Sequence, residues 1–79
     1  MIHIKDLLNK IKWDKSLNPN EYSIGYFDRI SKKLVWIGFK QIKDIEANFL
    51  VLEKDNKEVN IPLHRIREVK QKGKQIWRR

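Results

Sequence analysis

The chain has 79 residues, of which 41% are hydrophobic and 35% are charged, and its formal net charge is +8. This length accommodates one compact domain, so residues 1–79 are predicted to form a single module. The absence of cysteine excludes disulfides and cysteine-ligated metal sites, and every apolar stretch is far shorter than the roughly 20 residues of a membrane-spanning helix. We therefore expect a cytoplasmic protein that is neither secreted nor membrane-spanning.

The beginning of the chain predicts a helix. Its apolar residues recur at helical spacing, with lysines between them, at Ile4, Leu7, Leu8 and Ile11. This pattern is typical of an amphipathic helix over residues 3–12 that packs one face on the core. Turn-forming residues gather between Asp14 and Asn20 and end the helix.

The middle of the chain predicts an antiparallel hairpin. Period-two alternation indicates a strand over residues 22–30, and an aromatic, β-branched run indicates a second strand over residues 34–39. Trp36 has apolar neighbours on both sides in the second strand, so we expect it to be buried. The segment 40–48 is predicted to be a helical turn or an irregular connection.

Two further hairpins are predicted in the second half. One pairs residues 49–53 with residues 58–61 and ends at Pro62, because proline cannot donate to a strand ladder. The other pairs residues 67–70 with residues 75–78. No internal repeat is evident. The chain is therefore predicted to be α+β, with an N-terminal amphipathic helix packed on a small antiparallel β-sheet of hairpins.

Positive charge is concentrated near the end of the chain. Residues 61–79 carry seven lysines and arginines but one glutamate, a net charge of +6. Such a cluster attracts polyanions, and nucleic acid is the abundant polyanion inside a cell. A basic tail that only increases solubility explains the same charge, so a protein-interaction or structural subunit stays open as an alternative.

Most catalytic and metal-binding motifs are absent. The three glycines are isolated and form no phosphate loop, and there is no nucleophile elbow or zinc-protease helix. His3 and His64 lack regular ligand spacing, so neither a metal nor a cofactor is predicted. Two histidines could act as general base and general acid in RNA cleavage. The alternative for His3 is a solvated residue at the start of the helix.

His64 and Arg65 provide the strongest local signal, within the segment IPLHRIR at residues 61–67. Arginine presents a planar fork that can bind two phosphate oxygens, and histidine can donate one further hydrogen bond. The pair is therefore a candidate phosphate clamp. Alternatively, His64 caps a turn and Arg65 pairs with a carboxylate such as Asp28.

A second charged pair, Asp28 and Arg29, follows the aromatic residue Tyr26. The carboxylate could orient Arg29 or the His64–Arg65 pair by a charge-assisted hydrogen bond, or it could form only a surface salt bridge. Trp77 lies in the basic tail, where a half-exposed indole could stack on an RNA base. For Trp77 we expect core packing instead.

The sequence resembles the archaeal RNA cyclic group end recognition domain family, which also occurs in eukaryotic proteins. The motifs that carry the resemblance are KDLLNKIKWD at 5–14, GYFDRI at 25–30, IPLHRI at 61–66 and GKQIWRR at 73–79. The resemblance implies a non-catalytic module that recognises RNA ends bearing a 2′,3′-cyclic phosphate and works with enzymes of RNA repair or processing. The motif positions it implies are Asp28, Arg29, His64 and Arg65, with Tyr26 and Trp77 as accompanying aromatics.

We therefore predict a monomeric RNA-binding module that is not an enzyme and that acts with a processing enzyme in trans. The predicted RNA- and phosphate-binding residues are Arg29, His64, Arg65, Arg67, Lys72, Lys74 and Arg78, and the supporting residues are Tyr26, Asp28 and Trp77. Two other functions stay open. One is a small RNA phosphodiesterase or cyclase that uses His64 as general acid or base, and the other is a non-specific binder of the RNA backbone.

Overall fold

The computed structural model describes residues 3–79, which form one α-helix, three short 3-10 helices and seven strands. Helix α1 spans Ile4–Trp13. The strands are β1 (Tyr22–Asp28), β2 (Lys33–Gly38), β3 (Ile42–Ile45), β4 (Phe49–Lys54), β5 (Lys57–Pro62), β6 (Ile66–Gln71) and β7 (Lys74–Arg78). The 3-10 helices at Pro19–Glu21, Phe39–Gln41 and Leu63–Arg65 directly precede β1, β3 and β6. The α+β class is as predicted. Within residues 3–79, no helix has the length and apolar character needed to cross a membrane.

The strands form two antiparallel sheets, whereas the sequence predicted one. The first sheet has the order β2-β1-β6-β7 and the second has the order β3-β4-β5. The segment predicted as a helical turn or irregular connection contains β3, which pairs with β4. Ile42 and Ile45 have the spacing of a helix because the register shifts between Ile42 and Asp44. This β-bulge brings two residues three positions apart to the same face of the sheet.

The helix and both sheets contribute to one hydrophobic core. The helix buries Ile4, Leu8 and Ile11, the apolar positions that recur at helical spacing in the sequence. Fully buried residues of both sheets belong to the same cluster, namely Ile24, Leu50, Leu52, Ile66 and Val69. Full burial of one such aliphatic side chain contributes about 1.5–3 kcal/mol relative to exposure. This core fixes the positions of α1 and of the turns that follow the strands.

The tryptophans of the strands differ in burial. Trp77 is 6% exposed and belongs to the core, as expected, but Trp36 is 39% exposed, so its predicted burial is wrong. Trp36 lies on the edge strand β2 and faces Gly25 across the ladder. We call this surface, which is opposite the one that buries Ile24, the outer face of the first sheet. The side chain is apolar and aromatic as in a core strand, but no second layer within residues 3–79 covers it.

Six of the seven described strands, β1 to β6, form two equivalent units, a repeat that the sequence analysis missed. Each unit is a hairpin followed by a 3-10 helix and a third strand: β1–β2–β3 in the first unit and β4–β5–β6 in the second. The segments IGFKQIKDI at 37–45 and IPLHRIREV at 61–69 place apolar residues at the same four positions. The turns and third strands of the two units therefore derive from closely similar sequence patterns.

The pairing of the strands confirms the equivalence. The third strand of each unit completes the sheet of the other unit, because β6 pairs with β1 and β3 pairs with β4. Within the hairpins, the pair Ile24↔Ile37 of the first unit corresponds to the pair Leu50↔Ile61 of the second. Between the units, the pair Ile24↔Val69 corresponds to the pair Leu50↔Ile45. Both of the shared ladders also skip one residue at the same place, Arg67 in β6 and Lys43 in β3. The two units are thus related as copies that exchange their third strands.

Candidate functional site

A cavity of about 410 Å³ opens where the start of α1 meets the 3-10 helix before β6. Its described lining consists of His3, Ile4, Lys5, Ala47, Asn48, Leu63, His64 and Arg79. None of these residues is acidic, and four of them have cationic or protonatable side chains. The volume lies within the range of about 300–1,000 Å³ that is usual for small-ligand pockets. The cavity is therefore suited to an anion of nucleotide size.

His64 is positioned by the turn that links β5 to β6. Pro62 ends β5 with a φ of −58°, and the Ile66 N–H donates to the Leu63 carbonyl to close the 3-10 helix. The Leu63 N–H donates to the Asn48 carbonyl at 2.9 Å, which ties the turn to the chain before β4. Leu63 is buried and anchors the turn, whereas His64 next to it is exposed. The imidazole is thus carried on a fixed backbone at the edge of the cavity.

Arg79 is the most constrained cation of the cavity. Its Nε donates to the Ile66 carbonyl and its Nη2 donates to the Leu63 carbonyl, each at 3.0 Å. The Arg79 N–H donates to the Arg67 carbonyl at 2.9 Å, and the guanidinium lies 5.5 Å from the ring centroid of Trp77. Because a guanidinium has five N–H donors, the two side-chain bonds leave the others for a ligand.

The start of α1 supplies the opposite wall of the cavity. His3 occupies the N-cap position, and its side chain makes no capping hydrogen bond. The first amides of a helix lack partners within the helix, and the helix dipole adds partial positive charge there. Lys5 adds a full charge in the first turn. Anions bind readily at such helix starts, so the basic side chains that line the cavity favour an anionic ligand, whereas Asp6 in the same first turn does not line it.

The structure brings His3 and His64 to one cavity, although they are far apart in the sequence. Arg65 is half-buried at the end of the 3-10 helix and does not line the cavity. Most of the other predicted binding residues are exposed and lie elsewhere: Arg29 in the turn after β1, Lys72 in the turn after β6, and Lys74 and Arg78 on β7. Of these, Lys72 forms an ion pair of 3.0 Å with Glu21.

Arg67 links the cavity to the outer face of the first sheet. Its Nη1 donates to the His64 carbonyl at 2.8 Å. Its guanidinium also lies 6.0 Å from the ring centroid of Phe27 on β1. Arg67 is therefore the predicted binding residue that contacts both regions.

The predicted supporting residues have structural contacts. The carboxylate of Asp28 accepts hydrogen bonds from the Ile30 N–H at 3.1 Å and from the Ser31 hydroxyl at 3.2 Å. Within residues 3–79, no hydrogen bond or ion pair joins Asp28 to the arginines or the histidine that it was predicted to orient; it shapes the turn after β1 instead. Tyr26 packs against the core, and Trp77 lies in the core beside the guanidinium of Arg79.

The sequence analysis missed Lys5, Asn48 and Arg79 as members of the site. Lys5 opens the segment KDLLNKIKWD and Arg79 closes the segment GKQIWRR. The signal was therefore present in the motifs that carry the family resemblance. The sequence alone did not show the tertiary contacts that bring the ends of these two segments together.

Comparison with known proteins identifies the family. The family model of the MJ1316 RNA cyclic group end recognition domain matches residues 1–79. The chain belongs to this family. A UPF0248 protein of Metallosphaera sedula is 40% identical over 76 residues, which cover 96% of this chain and 91% of the relative. A UPF0248 protein of Methanococcus maripaludis is 37% identical over 67 residues, which cover 84% of this chain and 82% of the relative. No solved structure matches the chain significantly.

Three of the four segments that carried the resemblance meet at the cavity. KDLLNKIKWD contributes Lys5, IPLHRI contributes Leu63 and His64, and GKQIWRR contributes Arg79. The fourth motif, GYFDRI, lies in β1 and the turn after it. These four segments of the chain thus lie at the cavity and in the neighbouring sheet.

Proposed function

We propose that this domain binds RNA termini that carry a 2′,3′-cyclic phosphate. The observation that carries the proposal is the cavity in which Arg79, His3 and His64 surround the start of a helix. A cyclic phosphate has one negative charge and two non-bridging oxygens. One arginine fork with imidazole donors matches this group, since paired N–H donors bind two oxygens with defined geometry.

The constraint on Arg79 supports affinity. The carbonyls of Leu63 and Ile66 already hold the guanidinium, so little side-chain freedom is lost when a ligand binds. The apolar lining supports selectivity. Ile4, Ala47 and Leu63 border the cavity, and apolar walls favour the compact cyclic group over a 3′-phosphate, which brings a second charge and a tightly held hydration shell.

The domain acts as a recognition module rather than as an enzyme. The family description names recognition of RNA ends and no reaction. We further propose that it works as a monomer in the cytoplasm and delivers or protects cyclic ends for an RNA repair or processing enzyme supplied in trans. The basic C-terminal segment adds affinity for the preceding RNA backbone, and this contribution weakens as the salt concentration rises.

The test compares one short RNA with three different ends. The ends are a 2′,3′-cyclic phosphate, a 3′-phosphate and free hydroxyls, and binding is measured at physiological salt. We expect the cyclic end to bind at least about tenfold more tightly than either of the other two ends, a gap of about 1.4 kcal/mol. His64→Ala removes that gap. Lys40→Ala is the matched control, because Lys40 is exposed and occupies the position equivalent to His64 in the first unit.

Two results count against end recognition. If all three ends bind equally and lose affinity together as salt is added, the domain is a general binder of the RNA backbone. If Lys40→Ala and His64→Ala have the same effect, the cavity is not the site of recognition.

A second candidate function is favoured by the two histidines in one cavity. One imidazole could serve as general base for the attack of water on the cyclic phosphate, and the other as general acid for the 2′-oxygen that leaves as the ring opens. The same two roles could form a cyclic end from an RNA phosphodiester, when a 2′-hydroxyl attacks the phosphorus and the 5′-oxygen leaves with a proton. Incubation of the cyclic-ended RNA with the protein, followed by analysis of the recovered ends, distinguishes the two functions. An enzyme converts the ends and loses turnover in both His3→Ala and His64→Ala, whereas a recognition module returns the RNA unchanged.

A further inference from the structure

The outer face of the first sheet exposes an indole that lies against glycine. Trp36 is 39% exposed and faces Gly25 across the ladder. A Cβ atom at Gly25 would lie 3.0 Å from the Cη2 and Cζ2 atoms of Trp36 and 3.1 Å from its Cε2 atom. Since only glycine allows a ring to approach the main chain so closely, the pair holds the indole against the sheet and leaves part of it open to solvent.

Two cations accompany the aromatic rings of this face. The Nζ atom of Lys70 lies 4.5 Å from the ring centroid of Trp36, and the guanidinium of Arg67 lies 6.0 Å from that of Phe27. Among the ion pairs of residues 3–79, none includes Lys70 or Arg67. The face therefore combines exposed aromatic surface with two cations that form no ion pair within residues 3–79.

The second sheet provides an internal comparison, because its strands repeat the same unit. The register between β3 and β4 skips Lys43, just as the register between β1 and β6 skips Arg67, so the two residues occupy equivalent positions. Lys43 forms ion pairs of 3.2 Å with Glu58 and 3.8 Å with Glu53, and the hydrogen bond that Lys43 donates to Glu58 raises the pKa of Lys43 above its ordinary value. By the hairpin registers, Glu53 is the equivalent of Phe27. One copy of the unit thus neutralises its cation, whereas the other places it over an aromatic ring.

We propose that the outer face of the first sheet binds the single-stranded RNA segment that precedes the terminal phosphate. This inference rests on the proposed function of the cavity. Bases stack on Trp36 and Phe27, since every base has a π-face and stacking tolerates any sequence. Phosphates pair with Lys70 and Arg67. Phe27 and Trp36 are diagonal neighbours in the β1–β2 ladder, which places their main chains roughly 7–8 Å apart.

The geometry connects this face to the cavity. Arg67 reaches the ring of Phe27 and also donates to the carbonyl of His64. An RNA strand that enters over Trp36 therefore passes Phe27 and Arg67 before its terminal phosphate reaches the cavity. Glu68 faces Gly25 from β6, between the two cations. Its carboxylate repels phosphate at that point, so a base and not a phosphate occupies the centre of the face.

The test uses Trp36→Ala with Trp13→Ala as the matched control. Trp13 is 72% exposed and has the Nζ atom of Lys12 at 5.2 Å from its ring, but it lies at the end of α1. The probes are two octaribonucleotides of one sequence that end in a cyclic phosphate or in free hydroxyls. We expect Trp36→Ala to weaken both by at least about fivefold without changing the ratio between them. Trp13→Ala leaves both affinities unchanged.

A second variant keeps the test decisive if Trp36→Ala does not fold, which thermal unfolding shows. Lys70→Gln retains the indole and removes one phosphate partner. We expect it to reduce the slope of log affinity against log salt concentration by about 0.7, the contribution of one contact to single-stranded nucleic acid.

The outcomes separate this proposal from that for the cavity. If Trp36→Ala and Lys70→Gln both bind RNA like the wild type, the face is not an RNA site, even where end preference persists. If wild-type protein shows no end preference but Trp36→Ala still weakens binding, end recognition fails and the face proposal stands. If the wild type binds neither octaribonucleotide, the face proposal is overturned, and the exposed aromatics then indicate a protein partner.

Discussion

Replacing Arg79 by alanine tests whether the same side chain supports both the fold and the cavity. The change removes two guanidinium hydrogen bonds, to the carbonyls of Leu63 and Ile66 at 3.0 Å each. A hydrogen bond to a charged group contributes about 1.5–3 kcal/mol when it is well protected. Arg79 is exposed, so we take about 1 kcal/mol for each bond, the value typical of ordinary hydrogen bonds.

The expected loss is therefore about 2 kcal/mol in the free energy of unfolding. For a domain of this size, each kcal/mol lowers Tm by roughly 4–8 °C, so we expect a decrease of about 8–16 °C. The preference for a cyclic RNA end should disappear in the same variant. Arg79→Lys keeps the charge but cannot form the paired bonds of a guanidinium. It should therefore lose most of the contribution of these two bonds to the free energy of unfolding, and its RNA binding should retain only the salt-sensitive part.

The assay is thermal unfolding followed by circular dichroism, together with RNA binding well below the Tm of each variant. Arg78→Ala is the matched control for the unfolding measurement, because Arg78 is the preceding residue, is exposed, and makes no side-chain hydrogen bond or ion pair within residues 3–79. Equal Tm values for Arg79→Ala and Arg78→Ala would refute the structural role of the guanidinium. A cyclic-end preference that survives in Arg79→Ala would refute its role in the cavity.

Two further outcomes are expected. Leu8 is 0% exposed, so Leu8→Ala should lower the free energy of unfolding by about 2–5 kcal/mol in urea titrations. Leu7 is half-buried, so Leu7→Ala should lower it less, and equal losses would contradict the assigned core. Lys43→Met should leave RNA affinity unchanged, because two glutamates neutralise Lys43, whereas Arg67→Met should weaken it. A larger loss of RNA affinity in Lys43→Met than in Arg67→Met would contradict the comparison of the two sheets.

The elements that the sequence predicted well are those whose periodicity survives in the folded chain. Helix α1 has its apolar residues on one face, and the hairpin strands keep close to their predicted bounds. Strand β3 was missed because its bulge replaces the period of two by a spacing of three. The repeat was missed because the two units have apolar residues at equivalent positions but few identical residues. Both features depend on strand register, which a single sequence does not display.

The candidate site was predicted only where its signal is local. His64 stands out because proline and arginine flank it within a few residues. Lys5 and Arg79 reach the cavity through tertiary contacts between opposite ends of the described chain, and no local pattern encodes such a meeting. The exposure of Trp36 also depends on a distant feature, since β2 is an edge strand and Gly25 faces it from the neighbouring strand.

The exchange of third strands between the two units has a consequence for how ligand binding spreads through the domain. Neither unit can keep its ladder without the other, because β6 completes one sheet and β3 completes the other. The two sheets should therefore open together, as one cooperative unit in hydrogen exchange. A ligand that binds the native state slows every opening that requires such global unfolding. An RNA end held beside His64 should thus protect the amides of β4 from exchange, although β4 belongs to the other sheet.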